Sequence, residues 1–378
     1  MRLQKRYGLT LEKLEDRSVP SVSASVVNGT LAIVGDNKAA SDVVITASDT
    51  NSDGIDDTFA VTDGGKTIGT FGGVTGDIVL KMSKNDDVIA IDLGGAATQG
   101  GINATLGNGT NSLTVDNGTL GGALKVTGGT GNDSVAVGVT TPAIVNGDAR
   151  INLGAGTGDV VELGADSEVT GNMQTSGAES VLLDAGSHVD ANLIVTNANT
   201  LDLSGAVDGN VTITGAAIAG SDTGAKVAIS GDIGGNLVFV GTSKADTFDM
   251  SGNILGNMIA QLGAGNDTAT IGGVIAGRLL MNAGAGDDAM TLSGTVGDTT
   301  NIIGGAGKDT LTVTDTAVLS GPAHVNLGAG DDTFTLNDAA TISTLHAVSG
   351  SGNDTFIGTT TRDGLTLTGF PTVTPPTP

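Results

Sequence analysis

The feature that most constrains this chain is a short string that returns about every 21 residues. It is Gly-x-Gly, a polar or charged residue, then Asp and a polar-apolar alternation. It reads GAGNDTATI from Gly263, GAGDDAMTL from Gly284, GAGKDTLTV from Gly305, GAGDDTFTL from Gly328 and GSGNDTFIG from Gly350. The closing residues are Asp267, Asp288, Asp309, Asp332 and Asp354, in steps of 21, 21, 23 and 22. Upstream, Asp133 and Asp159 close related turns, and looser copies end at Asp87 and Asp246. A fixed period of this size is the mark of a stacked repeat, in which each unit buries its apolar side against the next.

A second string interleaves with the first, an apolar residue followed by Gly-Asn or a relative. It places Asn172, Asn192, Asn210, Asn236 and Asn257 at a second corner, where they either form a stacked amide ladder or tolerate left-handed backbone. Alternation such as Thr268-Ala269-Thr270-Ile271 sends one side chain inward and the next outward, as a strand does. Each coil therefore has two alternating strands, two glycine-containing corners and a short third side. The predicted fold is all-β, a right-handed parallel β-helix (solenoid) of about 13 coils. At the usual strand spacing its length is on the order of 60 Å. The predicted divisions are an N-terminal segment (1–20), a β-hairpin cap (21–80), the β-helix (81–370) and a Pro/Thr-rich tail (371–378) that reads as an extended linker or stalk.

Composition agrees. The chain has 378 residues with 62 Gly, no Trp, one Tyr and seven Phe, so Val, Ile, Leu, Ala and Thr must fill a thin, layered core. The formal charge is −25, although five of the 16 basic residues fall within the first 17. Such a surface repels nucleic acid and anionic lipid and attracts divalent cations. Absence of Cys excludes disulfides and thiolate metal sites, and no apolar run is long enough to span a membrane.

Two segments match Gly-Gly-x-Gly-x-Asp-x-apolar-x in full, Gly128–Ala136 and Gly304–Thr312. Others lose only the first Gly, to Leu262, Ala283, Leu327 or Ser349. This pattern resembles the RTX, or haemolysin-type, calcium nonapeptide. The resemblance implies Ca²⁺ held between stacked turns, with Asp133, Asp159, Asp267, Asp288, Asp309, Asp332 and Asp354 as ligands. Hard Ca²⁺ wants six to eight oxygens, which no single turn supplies. The chain departs from the family in carrying one copy per coil, which confines any ion column to one edge. The alternative is a tight corner in which Asp only accepts backbone N–H bonds.

A separate loop, Asp49-Thr50-Asn51-Ser52-Asp53-Gly54-Ile55-Asp56-Asp57, resembles the DxDxDGxxD calcium loop of EF-hand-like and dockerin modules. By that resemblance Asp49, Asn51, Asp53, the Ile55 carbonyl and Asp57 are ligands. Ala60 stands where an EF-hand has its bidentate Glu. Alternating flanks make the loop the tip of a hairpin, and a plain polar turn is the alternative. Near the start, Leu11–Pro20 resembles the LExLEDRxxP segment of many planctomycete surface and exported proteins, which implies export.

The expected function is a secreted or cell-surface structural or adhesive rod that binds calcium. Its candidate partners are extracellular matrix, polysaccharide, cell-surface components or, end to end, further copies of itself. Two other readings stand beside it: a polysaccharide-acting β-helical enzyme and a passive secreted carrier. No catalytic set is expected. Carboxylates repeat with the coil instead of gathering in one cleft, and His188, His324 and His346 are widely separated in sequence.

Overall fold

A computed structural model describes residues 21–215 and 224–375. The export-like segment 1–20 lies outside the described residues. All regular structure among those described is β, wound into a solenoid of about 13 turns with parallel sheets. No helix among them is long and apolar enough to cross a membrane.

One face stacks strands such as Met258–Ala264, Leu279–Ala285 and Thr300–Ala306; the next stacks Thr268–Ile271, Ala289–Leu292 and Thr310–Val313. Two-residue strands such as Val274–Ile275 and Thr295–Val296 close the short third side. Register is strict: Thr268 pairs with Ala289, Thr310 with Thr333, and Thr333 with Thr355. Alternation decides the core, since Ala269, Met290, Leu311, Phe334 and Phe356 all point inward and are essentially inaccessible. Their neighbours Thr291, Thr312 and Thr335 form an outward, half-buried column. One continuous apolar core runs from Val22 to Phe356. Phe239 stacks on Phe248 in the middle of the rod, and Phe334, Phe356 and Phe370 pack edge to face near the carboxyl end.

The cap is more than one hairpin. Val22–Val27 pairs antiparallel with Thr30–Gly35, and Asp42–Ser48, Thr58–Asp63 and Lys66–Gly72 form an antiparallel meander. It is continuous with the solenoid, because Thr30–Gly35 pairs in parallel with Ile78–Lys81 and Asp42–Ser48 with Val88–Asp92. Within the segment read as a tail, Thr372–Thr374 pairs in parallel with Thr355–Ile357 as a last rung.

Two glycine columns explain the Gly-x-Gly element. Gly284 and Gly286 have φ of +114° and +134°. A Cβ at Gly284 would collide with the carbonyl oxygen of Gly263, and one at Gly286 with that of Gly265, each a coil earlier. Both positions thus need glycine for backbone angle and for clearance. Gly286→Ala is expected to destabilise the rod by about 1–3 kcal/mol. Gly272→Ala, where an added Cβ meets only ordinary contacts, should stay within about 0.5 kcal/mol. Thermal melts of the two variants check this, and equal losses would contradict it.

Candidate metal centre

The residue just before each strand of the second face sits at one corner, and these residues file down the rod. In order they are Ser41, Asp87, Asn111, Asp133, Asp159, Glu179, Asn199, Ala225, Asp246, Asp267, Asp288, Asp309, Asp332 and Asp354. The expected alignment of the aspartates along one edge is therefore present. Glu179 and Asn199 interrupt it, together with Ala225.

The carboxylates point inward and make an inter-coil ladder. The backbone N–H of Asp246 donates to Oδ1 of Asp267 at 2.7 Å, that of Asp267 to Asp288 at 2.8 Å, and that of Asp288 to Asp309 at 3.0 Å. Asp309 donates to Asp332 at 2.8 Å and Asp332 to Asp354 at 3.0 Å. Where the preceding residue is Asn266, Asp287 or Asp331 it runs a second ladder in the opposite direction: Asn266 Oδ1 accepts the N–H of Asp287, Asp287 Oδ1 that of Lys308 and Asp331 Oδ1 that of Asn353. The recurring Asn/Asp-Asp pair thus offers one acceptor to the coil before and one to the coil after.

The second oxygen divides the column into two classes. At Asp133, Oδ2 accepts the N–H of Gly129 at 3.1 Å, while Oδ1 accepts from the backbone and side chain of Asn111. At Asp159, Oδ2 accepts from Gly156 at 3.0 Å and Oδ1 from Asp133 at 2.6 Å. Asp87 and Asp246 are likewise served on both oxygens, Asp87 by Ser41 and Ser83 and Asp246 by Thr242. At Asp267, Asp288, Asp309, Asp332 and Asp354, Oδ2 is buried and has no hydrogen-bond partner. All five residues are at most 1% exposed. Burial, reinforced by the carboxylate of the neighbouring coil, pushes Asp267, Asp288, Asp309 and Asp332 up to about 6 against the opposing effect of their N–H bonds.

Two full charges one strand spacing apart repel by roughly 3 kcal/mol at an effective dielectric of about 20. Five such carboxylates in file therefore call for a proton or a cation. The donor set suits a hard cation, being oxygen throughout. Beside Asp309 the corner is closely packed: a Cβ added at Gly304 would collide with Asp309 Oδ2 and with the carbonyl oxygen of Leu327, as one at Gly128 would with Asp133 Oδ2 and the carbonyl of Leu153, so a carboxylate and a backbone carbonyl converge at these corners.

In the hairpin loop the predicted ligands are largely turned to the backbone. Asp49 accepts the N–H groups of Asn51, Ser52, Asp53 and Gly54; Asn51 accepts that of Asp53, and Asp53 that of Ile55. Asp57 accepts from the side chain and backbone of Thr50, which hold it below the usual carboxylate range. The side chain that sequence reasoning passed over is Asp56. It is fully buried, neither oxygen has a partner, and burial with the charges of Asp49, Asp57 and Asp92 pushes it up to about 6.

At the opposite corner the amide ladder is formed: Asn192 Nδ2 donates to Asn172 Oδ1 at 2.9 Å, and Asn210, Asn236 and Asn257 continue it at 2.9–3.0 Å. None of the five has positive φ, so the left-handed alternative does not hold. His324 and His346, read as separated, stand in register one coil apart with ring centroids 6.3 Å apart, because their spacing equals one turn. They line a shallow groove with Leu280, Ile303 and Val348 on an outer face. His188 lies with Asp190 and Asp208, its Nε2 3.0 Å from Asp208. These side chains are at the surface.

No protein-family model, curated protein or solved structure matches the chain.

Two results follow from the ladder. Asp288→Ala leaves the buried N–H of Asp267 without its acceptor and should cost about 1–3 kcal/mol. Asp288→Asn keeps an acceptor and removes the charge, so it should melt no lower than wild type in chelator. The pH dependence has a definite sign. Four carboxyls whose folded pKa of about 6 exceeds the ordinary 3.8 bind protons more tightly in the folded state. Their contribution is greatest below pH 3.8 and is lost as pH rises through about 6. Without divalent cations, therefore, the melting temperature should fall between pH 4.5 and 7; a rise over that interval would contradict the assignment.

Proposed function

We propose that this chain is a calcium-binding structural or adhesive rod of the cell surface or extracellular space, in which divalent ions neutralise the inward carboxylates of stacked corners. The observation that carries it is the run of five consecutive coils whose buried Oδ2 atoms lack any partner. Asp267, Asp288, Asp309, Asp332 and Asp354 would hold the ions, with backbone carbonyls of the corner, such as that of Leu327, completing the oxygen shell. Bound calcium would supply positive charge where the rod otherwise concentrates negative charge. Support also comes from the formal charge of −25 and from the export-like sequence at Leu11–Pro20. Asp133 and Asp159 are the weaker ligands of the set, because backbone N–H groups already serve both of their oxygens.

The tight-corner reading has its own support in the Oδ1 ladder, which gives each Asp a structural task without any metal. It accounts for one oxygen of each carboxylate and leaves the other in a dry interior. Against a catalytic reading weighs the distribution of carboxylates, which file along an inward corner instead of flanking a substrate cleft.

Calcium added to chelated protein at neutral pH should raise the melting temperature. The gain should be about 2.7 kcal/mol per site at a hundredfold excess over Kd. The fourfold variant Asp267→Asn, Asp288→Asn, Asp309→Asn, Asp332→Asn should lose most of that increment. Identical melting with calcium and with chelator would leave the corners as purely structural turns.

A further inference from the structure

We propose a second, separate cation site, anchored by Asp56, that pins the N-terminal cap to the first full coil. Asp56 is 0% exposed and both of its carboxylate oxygens are without hydrogen-bond partners. A buried carboxylate in that condition is costly unless something charged or hydrogen-bonding meets it. The charged groups that bear on it, Asp49, Asp57 and Asp92, are all carboxylates and offer it no relief.

The surroundings supply oxygen ligands from two parts of the chain. Asp56 ends the hairpin loop, and its backbone N–H donates to the carbonyl of Ala97 at 2.9 Å, while the N–H of Ala97 donates to Gly54 at 3.2 Å. Ile55 and Ala97 form a parallel bridge, so the loop lies directly on the Asp92–Ala97 turn of the next coil. Gly94 in that turn has φ +70°. A Cβ built on it would lie 3.3 Å from Asp56 Oδ1 and against the carbonyl oxygen of Ala47. Gly94 thus lets this turn pack closely on the loop, with a charged oxygen and a carbonyl converging on the same place. The chemistry is that of a hard divalent cation with carboxylate and carbonyl ligands. Asp56 is the anchor, Ala47 the carbonyl ligand, and Asp92 and Asp49 the adjacent charges. The site stands apart from the corner column and does not depend on it.

The test is calorimetric titration of the full chain with calcium, as wild type, as Asp56→Asn and as the fourfold corner variant. Asp56→Asn removes the charge at nearly constant volume. It should bind one ion fewer than wild type and melt no lower than wild type in chelator. Unchanged stoichiometry and affinity in Asp56→Asn would overturn the proposal. Loss of ions in the corner variant alone would leave the column standing and remove this site. Loss in Asp56→Asn alone would do the reverse.

Discussion

The structure depends on one contact repeated along a single corner: the backbone N–H of one coil donating to the Asp carboxylate of the next. It ties successive coils together at the turn between the first and second faces. When the carboxylate is ionised each bond is stronger than a neutral one, but it draws negative charge into the interior at each turn that carries an Asp there. The asparagine corner solves the same geometric problem with neutral amides. There the later coil donates to the earlier one, from Asp148 through Asn257 to the N–H of Arg278. The asparagine run itself is thus neutral, flanked by Asp148 and Arg278, whereas the other corner accumulates charge.

That asymmetry shapes the account of function. A rod held only by neutral ladders would be indifferent to its ionic surroundings. This one keeps five carboxylate oxygens dry and unserved in its carboxyl-terminal half, and one further carboxylate, Asp56, dry and unserved under the cap. Stability is thereby linked to whatever neutralises them, proton or cation. Between the two regions the acidic corner gives way to Glu179, Asn199 and Ala225, where the linkage is relaxed.

Much of this was legible in the sequence, for a physical reason. A solenoid coil must put the same kind of residue at the same corner each time round, so spatial neighbours recur at a fixed interval. That is why Asp267 through Asp354 could be assigned to one edge, and why Gly284 and Gly286 are glycines. The same interval places His324 beside His346, although distance along the chain suggested separation. Finer distinctions were not legible. Asp133 and Asp309 close motifs that both match in full, yet a backbone N–H from Gly129 serves the second oxygen of Asp133 and none serves that of Asp309. That difference arises from hydrogen-bond geometry, to which the motif is blind. Asp56 was missed because the loop pattern assigns ligands by position, whereas its burial comes from the Asp92–Ala97 turn stacking on it.

Protons are expected to neutralise the inward carboxylates when metal is absent, and calcium when it is present. Difference infrared spectroscopy of the carboxyl stretch tests this most directly, at a pH of about 5.5, just below the raised pKa values. A protonated-carboxyl band is expected in chelator; it should disappear when calcium is added and be diminished in the fourfold corner variant. A spectrum with no such band, unchanged by calcium, would contradict it.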